Sequence, residues 1–115
     1  MSKPNILVIQ ADQLTALCLQ AYGTPYALTP HIDRIAAHGT TYLNTYCNSP
    51  VCDPSRASLM TGRLPSDIGV YDNGGEFLSS EPTYAHYLRT LAYQTSLVGK
   101  MHFVGPDQLH GLSAD

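Results

Sequence analysis

The sequence predicts an α/β fold with a largely parallel sheet flanked by helices. Three observations carry that expectation. Residues 5–11, NILVIQA, form a continuous apolar run rich in branched side chains, the pattern of a strand buried on both faces. Two later segments, TTYLNTYCN and TSLVGK, read as further strands. Between them lie stretches that open on proline and close on glycine, the punctuation of helices, so strands and helices alternate.

Taken in order, the apolar run is followed by ADQLTALCLQAYG, a loop and short helical turn ended by Gly23. TPHIDRIAAHG predicts a helix with Thr29 as N-cap, Pro30 at the first position and Gly39 past the end. Ile32, Ile35 and Ala36 would be its buried stripe. DPSRASLMTG predicts the next helix, with Asp53 as N-cap, Pro54 first and Gly62 closing it. VYDNGGEF is a turn or loop. EPTYAHYLRTLAYQ predicts a helix opened by Pro82, with Ala85, Leu88 and Leu91 inward. MHFVGPDQLHGLSAD is loop-like and follows directly on the TSLVGK strand. The expected domain organisation is therefore residues 1–115 as the N-terminal portion of a larger domain.

Bulk composition excludes several classes. A chain of 115 residues supports one small domain with a modest core. The formal net charge is -3, without a basic run to neutralise phosphates, which argues against nucleic acid or an anionic membrane as partner. The N-terminal apolar run is too short to span a membrane, and Asp12 interrupts it where a signal peptide would need small residues. Cys18, Cys47 and Cys52 do not make a disulfide framework or a C-x-x-C site, although a Cys47–Cys52 bridge is conceivable. A reducing cytoplasm is the expected location.

Ligands of open α/β sheets collect beyond the carboxyl ends of the strands. Three polar clusters are expected there. Asp12 and Gln13 follow the first strand; Asp12 by itself reads first as a cap for the next helix, and a ligand for a hard metal ion is the functional reading beside it. Cys52 stands at a helix N-terminus, where unpaired N–H groups favour an anion. It can be a small buried apolar residue, a thiolate nucleophile, or a modified residue bearing oxygens. Arg56 one turn on favours the anionic readings, or is a solvated helix-surface arginine. Lys100 and His102 follow the third strand and suit contact with an oxyanion or a leaving group, or are exposed loop residues. His31 and His38 fit exposed helix positions and His86 a helix face. His110 carries no assignment.

CDPSRASLMTG contains every fixed position of the pattern C-x-P-S-R-x-x-x-x-T-G and so resembles the signature of type I sulfatases, formylglycine-dependent members of the alkaline-phosphatase superfamily. NILVIQADQ is similar to that family's opening metal-binding strand, TPHIDRIAAHGTTYLNTYCNSPVC to the segment leading to the signature, and GKMHFVGPDQLHG to its Gly-Lys-x-His element. Within the family, ADQLTA, YDNGGEF and GKMHFVGPDQLHG resemble choline sulfatases. The likeness covers nearly the whole chain, in order.

The resemblance implies an alkaline-phosphatase-like fold and hydrolysis of a sulfate monoester, with choline sulfate as one such substrate. It implies that a formylglycine-generating enzyme oxidises Cys52 to an aldehyde. Its hydrate carries two hydroxyls: one attacks sulfur and expels the alcohol, and the other loses its proton as the diol collapses and releases sulfate. Cys52 and Asp12 would be ligands of Ca2+, with Mg2+ or Mn2+ as lesser alternatives. Arg56 would stabilise the diol, Lys100 would contact sulfate and the leaving oxygen, and His102 would position or protonate around them. Pro54 and Ser55 would serve the turn and recognition by the modifying enzyme. Asn73 is the local candidate for substrate binding, or a turn residue. Where many relatives have a second aspartate, this chain has Gln13, which offers an uncharged oxygen. The family's Asp-Asn ligands, a further histidine and a further lysine lie downstream; Asp107 and Asp115 are not assigned to that role. The rest of the same chain or a homo-oligomer would be further partners, and the 115 residues alone are expected to be inactive. A phosphonate or phosphate monoester hydrolase of the same superfamily is the rival activity, and a non-catalytic fragment is the rival of a different class.

Overall fold

A computed structural model describes residues 3–114; Met1, Ser2 and Asp115 lie outside the described residues. The chain divides into two compact units, Met1–Thr45 and Tyr46–Asp115.

In the first unit residues 5–11 form no strand. Ile6, Leu7, Val8 and Ile9 are well exposed rather than buried. The expectation of a buried strand fails here for a physical reason. A two-faced strand needs neighbours to take its N–H and C=O groups and layers to cover its side chains. A second correction follows for TTYLNTYCN, which is irregular, with Tyr42 and Leu43 exposed. The expected short turn is present as two 3-10 turns, Ala16–Cys18 and Gln20–Tyr22, the second closed by Gly23 at φ +90°. That left-handed conformation suits glycine.

Helix α1 is Pro30–His38, with proline at its start as expected. The Thr29 hydroxyl does not cap it. It accepts from the Gln20 amide at 3.2 Å and donates to Asp33 Oδ1 at 3.1 Å, tying α1 to the second 3-10 turn. The expected buried stripe is not buried: Ile32 and Ile35 are exposed, and Ala36 is half-buried. A stripe of that kind needs a sheet under it.

The second unit holds α2 (Cys52–Thr61), α3 (Pro65–Ile68), α4 (Tyr84–Thr90), β1 (Ser96–Leu97) and β2 (Ser113–Ala114). Helix α2 begins at Cys52, so Asp53 is a first-turn residue and not the N-cap, which is Val51. Pro54 is tolerated in that turn because its missing N–H would have no helical partner. Gly62 ends the helix at φ +70°, with its amide on the Ser58 carbonyl at 2.8 Å. Helix α3 repeats the same Pro-first, Gly-last pattern over a single turn, closed by Gly69.

Helix α4 is shorter than its sequence suggests. Thr83 is its N-cap, in a capping box with His86, whose Nδ1 accepts from the Thr83 amide at 3.1 Å. The far end breaks where Ala92 turns left-handed at φ +60°, and Leu91 is exposed rather than inward. β1 pairs with β2 in parallel, Ser96 opposite Ser113. The pair is braced by the Ser113 amide on the Thr95 carbonyl and by Thr95 Oγ1 on the Gly111 carbonyl, both at 2.8 Å. Parallel pairing is the expected sense, but β2 arises from a stretch expected to be loop.

The core of this unit joins Ala57 and Met60 of α2, Ile68 of α3, Val70, Phe77, Ala85 of α4, Phe103 and Leu112. Among the described residues no helix is long and apolar enough to cross a membrane.

Candidate active site

The site is built at the N-terminus of α2. Cys52 is the first residue of the helix and is half-buried. Cys18, Cys47 and Cys52 are all thiols, so the conceivable Cys47–Cys52 bridge is not formed. Lys100, beyond the end of β1, places Nζ 4.0 Å from Cys52 Sγ, which holds the position that an oxygen would take in an oxidised residue 52. A cation and the positive end of a helix thus meet at one atom.

Arg56 lies one turn into α2 and is buried. Its Nη1 donates to the Lys100 carbonyl at 2.8 Å. The guanidinium is therefore a brace as well as a charge: it fixes the main chain that presents Lys100.

His102 is half-buried and sits at φ +59°, in the left-handed region. Such a conformation costs a side-chain-bearing residue on the order of 1 kcal/mol or more and collects at functional sites. Its Nδ1 is buried without a hydrogen-bond partner among the described residues.

Asp53 went unrecognised as anything but a cap. It is fully buried, and both carboxylate oxygens lack a hydrogen-bond partner among the described residues. Burial pushes its carboxyl above the ordinary carboxylate range; a charged His102 pulls it back, and Asp72 adds to the rise. The signal available in the sequence was an acid at the variable position after the signature cysteine. Asn73 is committed to the same turn, its Oδ1 accepting the Asp53 amide at 3.0 Å.

Cys52, Arg56 and Lys100 are thus brought together, with His102 electrostatically coupled to the turn through Asp53. Asp12 belongs to the other unit, where it occupies a turn with Gln13 at φ +57°. A Ca2+ ion takes six to eight oxygen ligands. Among the described residues no three acidic, histidine or cysteine side chains converge to hold a metal. The donors on this chain do not fit a complete Ca2+ site. His110, unassigned from sequence, is a core residue: it stacks on Phe77 with ring centroids 4.0 Å apart and meets Phe103 edge-on at 4.8 Å.

Residues 4–108 match the Sulfatase family. The choline-sulfatase of Rhizobium meliloti strain 1021 is 50% identical over 109 residues, which is 95% of this chain and 21% of that protein. A 2-O GAG sulfatase structure superposes with a TM-score of 0.89 at 32% identity, over 99% of this chain and 25% of that one. The phosphonate monoester hydrolase of Agrobacterium radiobacter gives a TM-score of 0.87 at 28% identity, over 97% of this chain and 25% of that one. The chain therefore has the α/β fold of these hydrolases, and it spans about a fifth to a quarter of their length.

Proposed function

The chain belongs to the sulfatase family, and from that premise we propose that it forms the N-terminal, nucleophile-bearing portion of a sulfuric ester hydrolase domain. The substrate is a sulfate monoester, and choline sulfate is the specific candidate, supported by the identity with the Rhizobium enzyme. The observation that carries the reading is the Lys100 ammonium 4.0 Å from Cys52 Sγ at the mouth of α2. A buried Arg56 holding the Lys100 main chain supports it.

In this reading a formylglycine-generating enzyme oxidises Cys52, and the hydrated aldehyde supplies the attacking hydroxyl and a second hydroxyl for release of sulfate. Lys100 binds a sulfate oxygen and stabilises the departing alkoxide. Arg56 lowers the energy of negative charge at residue 52 and keeps Lys100 in place. His102 moves or holds a proton at the sulfate or at the leaving oxygen. By the family resemblance alone, Asp12 and the oxidised residue 52 would be ligands of a Ca2+ ion. The family's remaining ligands would come from further residues of the same protein. A cytoplasmic setting goes with this reading, since the cysteine spacing makes no disulfide framework.

The test has two parts. Peptide mass spectrometry across Cys52, after co-expression with a formylglycine-generating enzyme, should find the aldehyde or its hydrate. Turnover of choline sulfate and an aryl sulfate is then compared with that of a phosphonate monoester. The likeness to the Agrobacterium enzyme makes phosphonate the competing substrate. Faster turnover of the phosphonate would transfer the chain to that activity. An unmodified thiol after exposure to a competent modifying enzyme would remove the proposed nucleophile.

A further inference from the structure

We propose that Asn73 is a positioning residue for residue 52, acting through the first turn of α2; the inference rests on the reading of Cys52 as the nucleophile's precursor. The first amides of a helix have no partner inside it and are normally met by the side chain of the N-cap. In α2 the N-cap is Val51, which has nothing to offer. The acid in the first turn does not serve either, because the Asp53 carboxylate is buried and neither oxygen has a hydrogen-bond partner among the described residues. The acceptor comes instead from a loop 20 residues on: the Asp53 amide donates to Asn73 Oδ1 at 3.0 Å.

The loop that carries Asn73 is itself held. Val70 and Phe77, on either side, are fully buried, and the Phe77 amide donates to the Val104 carbonyl at 2.9 Å. Between them Asp72 Oδ1 accepts the Gly74 amide at 2.8 Å, and the Asp72 carbonyl accepts the Gly75 amide at 3.3 Å. Asn73 therefore transmits the rigidity of the core to the residue after Cys52. The 4.0 Å pair of Cys52 and Lys100 is secured from both sides: Asn73 holds the helix start, and Arg56 holds the Lys100 main chain.

The test compares Asn73→Leu, which keeps bulk and loses the acceptor, with Asn73→Asp, which keeps an acceptor oxygen. Amide hydrogen exchange of the protein, resolved by residue, should show the Asp53 amide exchanging about tenfold faster in N73L and returning towards the original rate in N73D. Amides of α4 serve as the internal reference and should not move. An unchanged Asp53 rate in N73L, or an equal acceleration throughout the 46–114 region, overturns the proposal. In the full-length enzyme with residue 52 oxidised, N73L should lower kcat at least about tenfold with KM held within about twofold, since the helix start and not the substrate is released. N73D should recover kcat. A raised KM with kcat kept would make Asn73 a substrate contact and overturn the proposal. If the unsubstituted enzyme does not turn over sulfate esters, the sulfatase reading falls, while the Asp53 amide still decides the tether.

Discussion

Replacing Phe77 by alanine tests whether the region 46–114 has one cooperative core. Phe77 is fully buried, packs against Phe103 with ring centroids 5.3 Å apart, and stacks on His110 at 4.0 Å. Truncating such a ring removes its transfer free energy and leaves a cavity, together about 3–5 kcal/mol. A unit of about 70 residues has a total stability of roughly 3.5–10 kcal/mol. Phe77→Ala should therefore remove a third or more of the margin, and Phe77→Leu should lose clearly less. Urea unfolding followed by far-UV circular dichroism and tyrosine emission, extrapolated linearly, gives the difference. A loss below about 1 kcal/mol for Phe77→Ala, at unchanged slope, would refute the claim that this ring is the centre of the core.

Four further outcomes follow from the same structure. Burial holds the His110 imidazole below its ordinary range, against the partial pull of Asp107, with Nδ1 and Oδ2 3.7 Å apart. Neutral His110 leaves stability unaffected above its unfolded pKa of about 6.5; stability is lost as the pH falls from there through the folded value, and His110→Phe should flatten that part of a pH-denaturation curve. Asp107 is held low by amides of His110 and Leu109, so its contribution disappears only in the more acidic window below about 3.8. Gly111→Ala should destabilise by more than about 1 kcal/mol in urea, because φ is +88° and a Cβ would come within 3.0 Å of the His86 ring and amide. Arg56→Lys should cost about 1–3 kcal/mol by the same assay, since an ammonium replaces a buried planar donor aimed at the Lys100 carbonyl.

What was legible in the sequence follows from how local each signal is. Pro30 and Gly39, Pro54 and Gly62, and Gly23 act through their own backbone preferences, and the elements they punctuate are present. TSLVGK contains β1, but the other two expected strands, residues 5–11 and TTYLNTYCN, are absent, because a strand is a property of its neighbours. NILVIQA has the composition for burial, yet residues 5–11 are neither paired nor covered. The stop of α4 at Thr90 depends on a left-handed Ala92, which no residue preference announces. At the site, Lys100 lies against Cys52 and Arg56 bonds the Lys100 main chain, residues that the sequence linked only through expected strand ends and the family resemblance. Asp53 and Asn73 were opaque because their roles lie in a contact between residues 20 apart. His110 was opaque because its partners Phe77 and Phe103 come from other segments.

The bond from Arg56 ends on the main-chain oxygen of Lys100, not on its side chain. Any amino acid at position 100 offers that oxygen. Reactivity and scaffolding are thereby uncoupled at a single residue: the side chain at 100 can be exchanged, lengthened or discharged while the segment stays docked. A lineage moving from one oxyanion ester to another could thus alter its cation at that position in one mutational step without first rebuilding the support.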